Sequence, residues 1–264
     1  MIDTHAHLHT KQFAADRPLV LERAFQAGLR AILEVNIDAG GWPHARALAE
    51  SDPRVFLTAG IHPHDSGKAR SEDLEALASQ IFHPRIRAVG ETGLDYYRNY
   101  APHDLQQEFF RRQVALAREA GLPLVVHVRH SKDGPSAQAD AVRILTEEGR
   151  GRVRGVFHCF SGDLEAARQA VDLGFLLGFG GAITYSPKRT APLVNAIAEA
   201  LTLSVFLLET DCPYLTPHPH REERNEPANV PVICAALASY LGLPPADLER
   251  ITDQNAVALF SLES

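Results

Sequence analysis

Lysine is scarce in this chain: Lys11, Lys68, Lys132 and Lys188 are the only four in 264 residues, and none directly closes an apolar run. Cysteine is scarcer. Cys159, Cys212 and Cys234 are an odd number without metal-finger spacing, so reduced thiols are expected rather than disulfides. Positive charge is also in deficit, with a formal net charge of −7. That excludes a protein coating nucleic acid through a broad basic surface. It leaves room for an enzyme acting on a polyanion, because divalent cations in a pocket supply local charge that the sum over residues does not count. No run is long enough to span a bilayer, and the amino terminus lacks the basic and apolar stretches of a secretion signal, so a cytoplasmic protein is expected. No linker, repeat or low-complexity stretch interrupts the chain, which predicts one domain over residues 1–264.

What is present is alternation. Extended apolar runs lie at 1–3, 31–35, 55–59, 86–89, 124–126, 153–157, 175–178 and 205–208. Segments of helical periodicity separate them, at 17–27, 44–50, 72–81, 105–120, 137–148, 164–173 and 191–201, and a further one follows at 230–241. Strands buried on both faces read as near-continuous apolar runs, and eight of them alternating with helices predict an α/β fold, a (β/α)8 TIM barrel. Residues 246–260 read as a C-terminal helical extension. The rival, a doubly wound open sheet, usually carries a glycine-rich phosphate turn after its first strand, where this chain has His5-Ala-His7.

Six metal-ligand side chains stand at or just past the ends of those runs: His5, His7, Glu91, His127, His158 and Asp211. In a barrel, the carboxyl ends of successive strands converge on one mouth. His5 and His7, two apart on a strand, face the same way and can grip one ion. A carboxylate at the position of Glu91 can bridge two cations, a role some barrel hydrolases give to a modified lysine. With no lysine closing a strand, Glu91 is the better bridge. His127 and His158 form a pair for the second ion. Asp211 can ligate the first ion and accept a proton from water, which makes Asp211, Glu91 and His62 the candidate catalytic residues. Glu209, two residues before Asp211, is placed to hydrogen-bond a metal-bound histidine.

Other polar groups near these positions suit a phosphate ester. His62 and His64 stand in Gly60-Ile-His-Pro-His64, Arg129 is two beyond His127, and Arg224 follows the last run. Arginine meets phosphate oxygens bidentately. Asp95 is expected to position the substrate or His62. Tyr96, Tyr97, Tyr100 and Tyr214 could stack on unpaired bases.

With these residues in view, the sequence resembles the TatD family of metal-dependent deoxyribonucleases, within the amidohydrolase-like barrels. The likeness runs through Asp3-Thr-His-Ala-His7, Gly60-Ile-His-Pro-His64, Gly90-Glu-Thr-Gly-Leu-Asp-Tyr96, His127-Val-Arg129, His158-Cys-Phe-Ser-Gly162, Glu209-Thr-Asp-Cys-Pro-Tyr-Leu215, Arg224-Asn-Glu-Pro227 and Asn255-Ala256. It implies one ion on His5, His7, Glu91 and Asp211 and another on Glu91, His127 and His158. Magnesium, manganese and zinc are the candidate ions. It also implies removal of nucleotides from DNA 3′ ends. One departure is the segment His130-Ser-Lys-Asp-Gly-Pro135, where the family usually carries an acidic residue after the arginine.

The expectation is therefore a two-metal hydrolase cleaving DNA phosphodiester bonds as a 3′–5′ exonuclease, with DNA as partner, single-stranded or at 3′ ends, and no membrane or obligatory protein partner. The same fold and ligands serve hydrolysis of a small cyclic amide, lactone or ester, or of an aminoacyl-tRNA ester, because the nucleophile attacks carbonyl carbon equally well.

Overall fold

The computed structural model describes residues 1–131 and 133–262. Lys132, part of the loop at 130–135, and residues 263–264 of the expected domain lie outside the described residues. Eight parallel strands pair in sequence order: β1 (Ile2–Ala6), β2 (Ala31–Asn36), β3 (Val55–Ala59), β4 (Ile86–Asp95), β5 (Leu124–Arg129), β6 (Gly155–Phe157), β7 (Phe175–Phe179) and β8 (Phe206–Leu208). The ring closes mainly past the end of β8. Asp211 N donates to His5 O and His7 N to Cys212 O, each at 2.9 Å, and Thr4 Oγ1 donates to Leu208 O at 2.9 Å. Helices α1 (Arg17–Gln26), α2 (Trp42–Ser51), α3 (Ser71–Gln80), α4 (His103–Ala120), α5 (Ala137–Gly149), α6 (Leu164–Asp172) and α7 (Pro187–Leu201) join successive strands. α8 (Val230–Leu241) follows β8, and α9 (Pro245–Phe260) forms the expected extension.

Two apolar layers result. Outward-facing strand residues such as Ile32, Leu57, Val126 and Leu208 pack against the inner faces of the helices, through Val20, Val114, Ile144 and Ile197. A smaller cluster unites Leu33, Phe56, Val125, Val156 and Leu207 with Leu259, Phe260 and Leu262. Strand side chains alternate faces, so Val125 shares a face with His127, and Val156 with the His158 that follows β6. Along that face, apolar residues occupy the end of the barrel capped by α9, and the opposite end carries the imidazoles.

The strand bearing Glu91 is much longer than its apolar run at 86–89. Gly90 (φ +143°) and Gly93 (φ +137°) permit this: a Cβ would come within 2.5 Å of Val125 O at the first and 2.0 Å of His127 O at the second. The register with β5 shifts between Val89 and Thr92. Val89 packs with the helix-facing layer, so strict alternation would send Glu91 outward as well; the irregularity turns it inward. β1 shifts in the same way between Asp3 and Ala6, around His5. α7 starts four residues earlier than its periodicity predicts, because Pro187 stands in its first turn, where a missing N–H costs nothing. Among the described residues no single helix is long and apolar enough to cross a membrane.

Candidate metal centre

His7 Nδ1 lies 2.8 Å from the carbonyl oxygen of Val35. A carbonyl only accepts, so Nδ1 carries a proton, and in the neutral ring Nε2 keeps the lone pair that a metal needs. That Nε2 is 3.2 Å from His5 Nε2, 3.4 Å from Asp211 Oδ1 and 3.7 Å from Glu91 Oε2. His5 Nε2 is 3.3 Å from the same Glu91 oxygen and 3.7 Å from the same Asp211 oxygen. A cation at the centre of a tetrahedron with such edges would sit about 2.0–2.3 Å from each donor, the length of zinc bonds to imidazole and carboxylate. Asp211 holds this position in the left-handed region, at φ +57°. Its N–H is bound to His5 O, so the conformation is fixed by the strand beside it.

The other oxygen of Glu91 belongs to a second group. Oε1 is 2.8 Å from His158 Nε2 and 3.0 Å from His127 Nδ1, and those nitrogens are 3.1 Å apart. Three donors on one side leave the other side open, as catalytic metal sites do. All six expected ligands therefore meet, with Glu91 shared, and the donor set fits two divalent ions.

The donors shift one another's protonation. Burial would raise Glu91, but the imidazoles of His158, His62 and His5 keep it well below the carboxylate range. Burial would lower His7, but Asp211 and Glu91 push it up to about 9. His158 is raised well above its usual value by Glu91, and His127 is raised by Asp95 and Glu91, both against burial. Only His5 among the ligand imidazoles moves down, through burial and then the neighbouring His158.

Supporting groups lie behind the ligands. Asp95 Oδ2 is 3.2 Å from His127 Nε2 and 2.7 Å from His64 Nε2, and Oδ1 accepts from Tyr97 N and Arg98 N. Asp95, expected to position the substrate or His62, holds His127 and His64 and also lines the cavity above them. Glu209 lies behind His158, but at 3.7 Å from Nδ1 it is beyond hydrogen-bond reach, and its Oε1 accepts from Cys159 N. Gly178 makes room for it, since a Cβ there would meet Glu209 Oε2 at 2.3 Å. Two supports escaped the sequence reading. Asp3 accepts from His5 N, Thr210 N and Thr210 Oγ1, tying β1 to the segment that carries Asp211. Glu34 is fully buried and accepts from Leu8 N at 2.7 Å, His9 N at 2.9 Å and the His9 ring. A lone charge inside the apolar run 31–35 was its signal.

A cavity of about 820 Å³ opens over the two donor groups, within the range of small-ligand sites. His62, His64, Arg98, Tyr100, Arg129 and Tyr214 line it. His62 Nδ1 accepts from His64 N, so Nε2 bears the proton and faces Glu91 Oε1 at 3.3 Å. Burial pushes His62 down to about 4, leaving it a neutral donor.

Arg224 is not brought to this cavity. It forms a two-point pair with Asp16 at 2.8 and 2.7 Å and donates to Gln12 O at 2.6 Å, which fastens the loop after β8 to the segment before α1. Tyr96 is not available for stacking either: it is fully buried, stacked on His103 and bonded to Asp140. Tyr97, Tyr100 and Tyr214 are exposed. The three cysteines are unpaired.

A family model described as TatD related DNase matches residues 2–261. The chain is 36% identical to an uncharacterized metal-dependent hydrolase, YabD of Bacillus subtilis, over 99% of both chains. It is 31% identical to the 3′-5′ ssDNA/RNA exonuclease TatD of Salmonella typhimurium, again over 99% of both. Among solved structures it superposes on YjjV, a TatD homologue of Escherichia coli, with a TM-score of 0.90 and 29% identity, covering 100% of this chain and 98% of that one.

Proposed function

Because the chain belongs to the TatD family of metal-dependent hydrolases, we propose that it uses two divalent ions to hydrolyse phosphodiester bonds of single-stranded nucleic acid, DNA foremost, as a 3′–5′ exonuclease. The observation that carries this reading is Glu91, whose two oxygens face two separate sets of donors. The relative named as a 3′-5′ ssDNA/RNA exonuclease supports the polarity and the substrate. Four imidazoles and two carboxylates favour zinc, a borderline ion, over magnesium and manganese, which prefer oxygen donors. A cytoplasmic location is part of the proposal.

His5, His7, Glu91 and Asp211 would hold one ion, and Glu91, His127 and His158 the other. Two such ions lower the pKa of water and neutralise charge developing on phosphoryl oxygens. Asp211 takes the proton of the attacking water through a carboxylate oxygen. The Nε2–H of His62 is directed at the cavity floor, where it can donate to a phosphoryl oxygen. Arg129 meets a non-bridging oxygen from the rim. Asp95 holds His127 in the tautomer that leaves Nδ1 free, so the second set keeps its direction while substrate enters.

The test is release of acid-soluble nucleotides from single-stranded oligonucleotides labelled at either end, run beside a panel of dihydropyrimidines, lactones and an aminoacyl-tRNA. Metal analysis of the purified protein accompanies it. Nucleotide release from the 3′ end, abolished by chelation and restored by added zinc, is expected. Turnover of a carbonyl substrate with intact oligonucleotides would replace this reading by the amidohydrolase one.

A further inference from the structure

Arg129 ends β5, two residues beyond His127, and its guanidinium carbon lies 4.3 Å from the centre of the Tyr97 ring. Arg98 approaches the same ring at 5.7 Å. Tyr97 is 51% exposed, and both arginines line the cavity. Elsewhere on the surface, arginines such as Arg111 and Arg224 are taken up by carboxylates. Among the described residues, Arg98 and Arg129 have no such partner, so in a chain of net charge −7 the mouth keeps guanidiniums that nothing neutralises.

This group is in register with the metal centre. Tyr97 N and Arg98 N both donate to Asp95 Oδ1, at 2.9 and 2.8 Å, and Asp95 Oδ2 faces His127 Nε2. One carboxylate thus fixes the loop carrying the ring and the imidazole expected to hold the second ion. A base resting on the stack would sit at a set distance from the reacting phosphate.

A planar guanidinium lying on an aromatic ring can be extended by a third flat group, and a nucleobase presents such a face only when it is unstacked from its neighbours. Inside a duplex both faces of a base are covered, and at a blunt end the last base, open on one face, is still held by pairing to its partner. Resting on the nuclease reading above, we propose that the Tyr97–Arg129 stack is the platform for the nucleobase next to the scissile phosphate, and that this pair selects unpaired strand ends.

The test compares wild-type protein, Tyr97→Ala and Tyr97→Phe, loaded with zinc. Substrates are a single-stranded DNA oligonucleotide, the same strand with one abasic residue placed at each of its terminal positions in turn, and a blunt duplex. Loss of the ring is expected to raise KM on the ordinary strand about ten-fold with kcat unchanged, as for a lost base–aromatic stack. Tyr97→Phe, which keeps the ring, restores KM. An abasic residue at the stacked position raises the wild-type KM by a similar factor and leaves that of Tyr97→Ala where it was. The preference for single strand over duplex narrows in Tyr97→Ala. An unchanged KM in Tyr97→Ala, or losses from the variant and the abasic site that multiply at every position, overturns the platform. Failure of the wild-type protein to release nucleotides from any strand is a different outcome: it overturns the nuclease reading, and the platform with it.

Discussion

At the scale of single residues, the centre depends on carboxylates that each serve two masters. Glu91→Gln removes the charge both donor groups share. Loss of an outer-sphere partner of a metal ligand typically costs 10–100-fold, so this change should lower kcat/KM by more than about 100-fold, and metal analysis should find the protein depleted. Asp95→Asn is subtler, since it keeps the shape of the group while weakening its hold on His127. It should weaken binding of the second ion by about 10–100-fold with the first nearly unaffected, and a two-phase metal titration would separate them. Arg224 shows how residue type alone misleads. An arginine in a polar loop near the last strand has the chemistry for phosphate, yet Asp16, over 200 positions earlier in sequence, takes both ends of its guanidinium. Nothing local to residue 224 announces that partner.

At the scale of elements, β4 carries a burden that its composition conceals. Only residues 86–89 read as a strand, but pairing with β5 continues to Asp95 because Gly90 and Gly93 let the two backbones close up. Gly93→Ala would drive a Cβ into His127 O, 2.0 Å away, in a backbone conformation that already disfavours L residues. It should cost at least about 2 kcal/mol and displace His127. Gly28→Ala has the same unfavourable sign of φ but no atom within 4 Å, so it should cost only about 1 kcal/mol. Urea unfolding of the two variants, each with a metal titration, distinguishes loss of a ligand strand from backbone strain alone. Strand and helix number and order were legible because apolar period and breaker residues are local signals. The inward turn of Glu91 was not, because a register shift exists only between two strands.

At the scale of the whole molecule, the barrel has a sealed end and a reactive one. α9 is part of the sealed end: Phe260 is 1% exposed among Leu33, Phe56 and Val125. Phe260→Ala should cost about 3–5 kcal/mol through the cavity it leaves, lowering Tm while the donor groups stay intact; calorimetry with metal analysis checks both parts. The polar end links stability to pH. In metal-free protein His7 is raised from 6.5 to about 9, so its contribution is fully present below about 6.5 and is lost as pH rises through about 9. Metal must displace those protons, so its affinity should increase over the same interval. The gap in Tm between metal-loaded and metal-free protein is therefore expected to widen from pH 6.5 to 9, with protons released on binding, measurable by titration calorimetry in buffers of different ionisation enthalpy. From the sequence alone follow the alternation of eight strands with helices and the six donors at their carboxyl ends, because apolar period and residue chemistry are written locally. Tertiary structure alone decided that a register shift turns the bridging Glu91 inward, that Asp95 and Asp3 act from behind, and that Arg224 is engaged elsewhere. Those outcomes depend on which backbones approach within a few ångströms once the ring has closed.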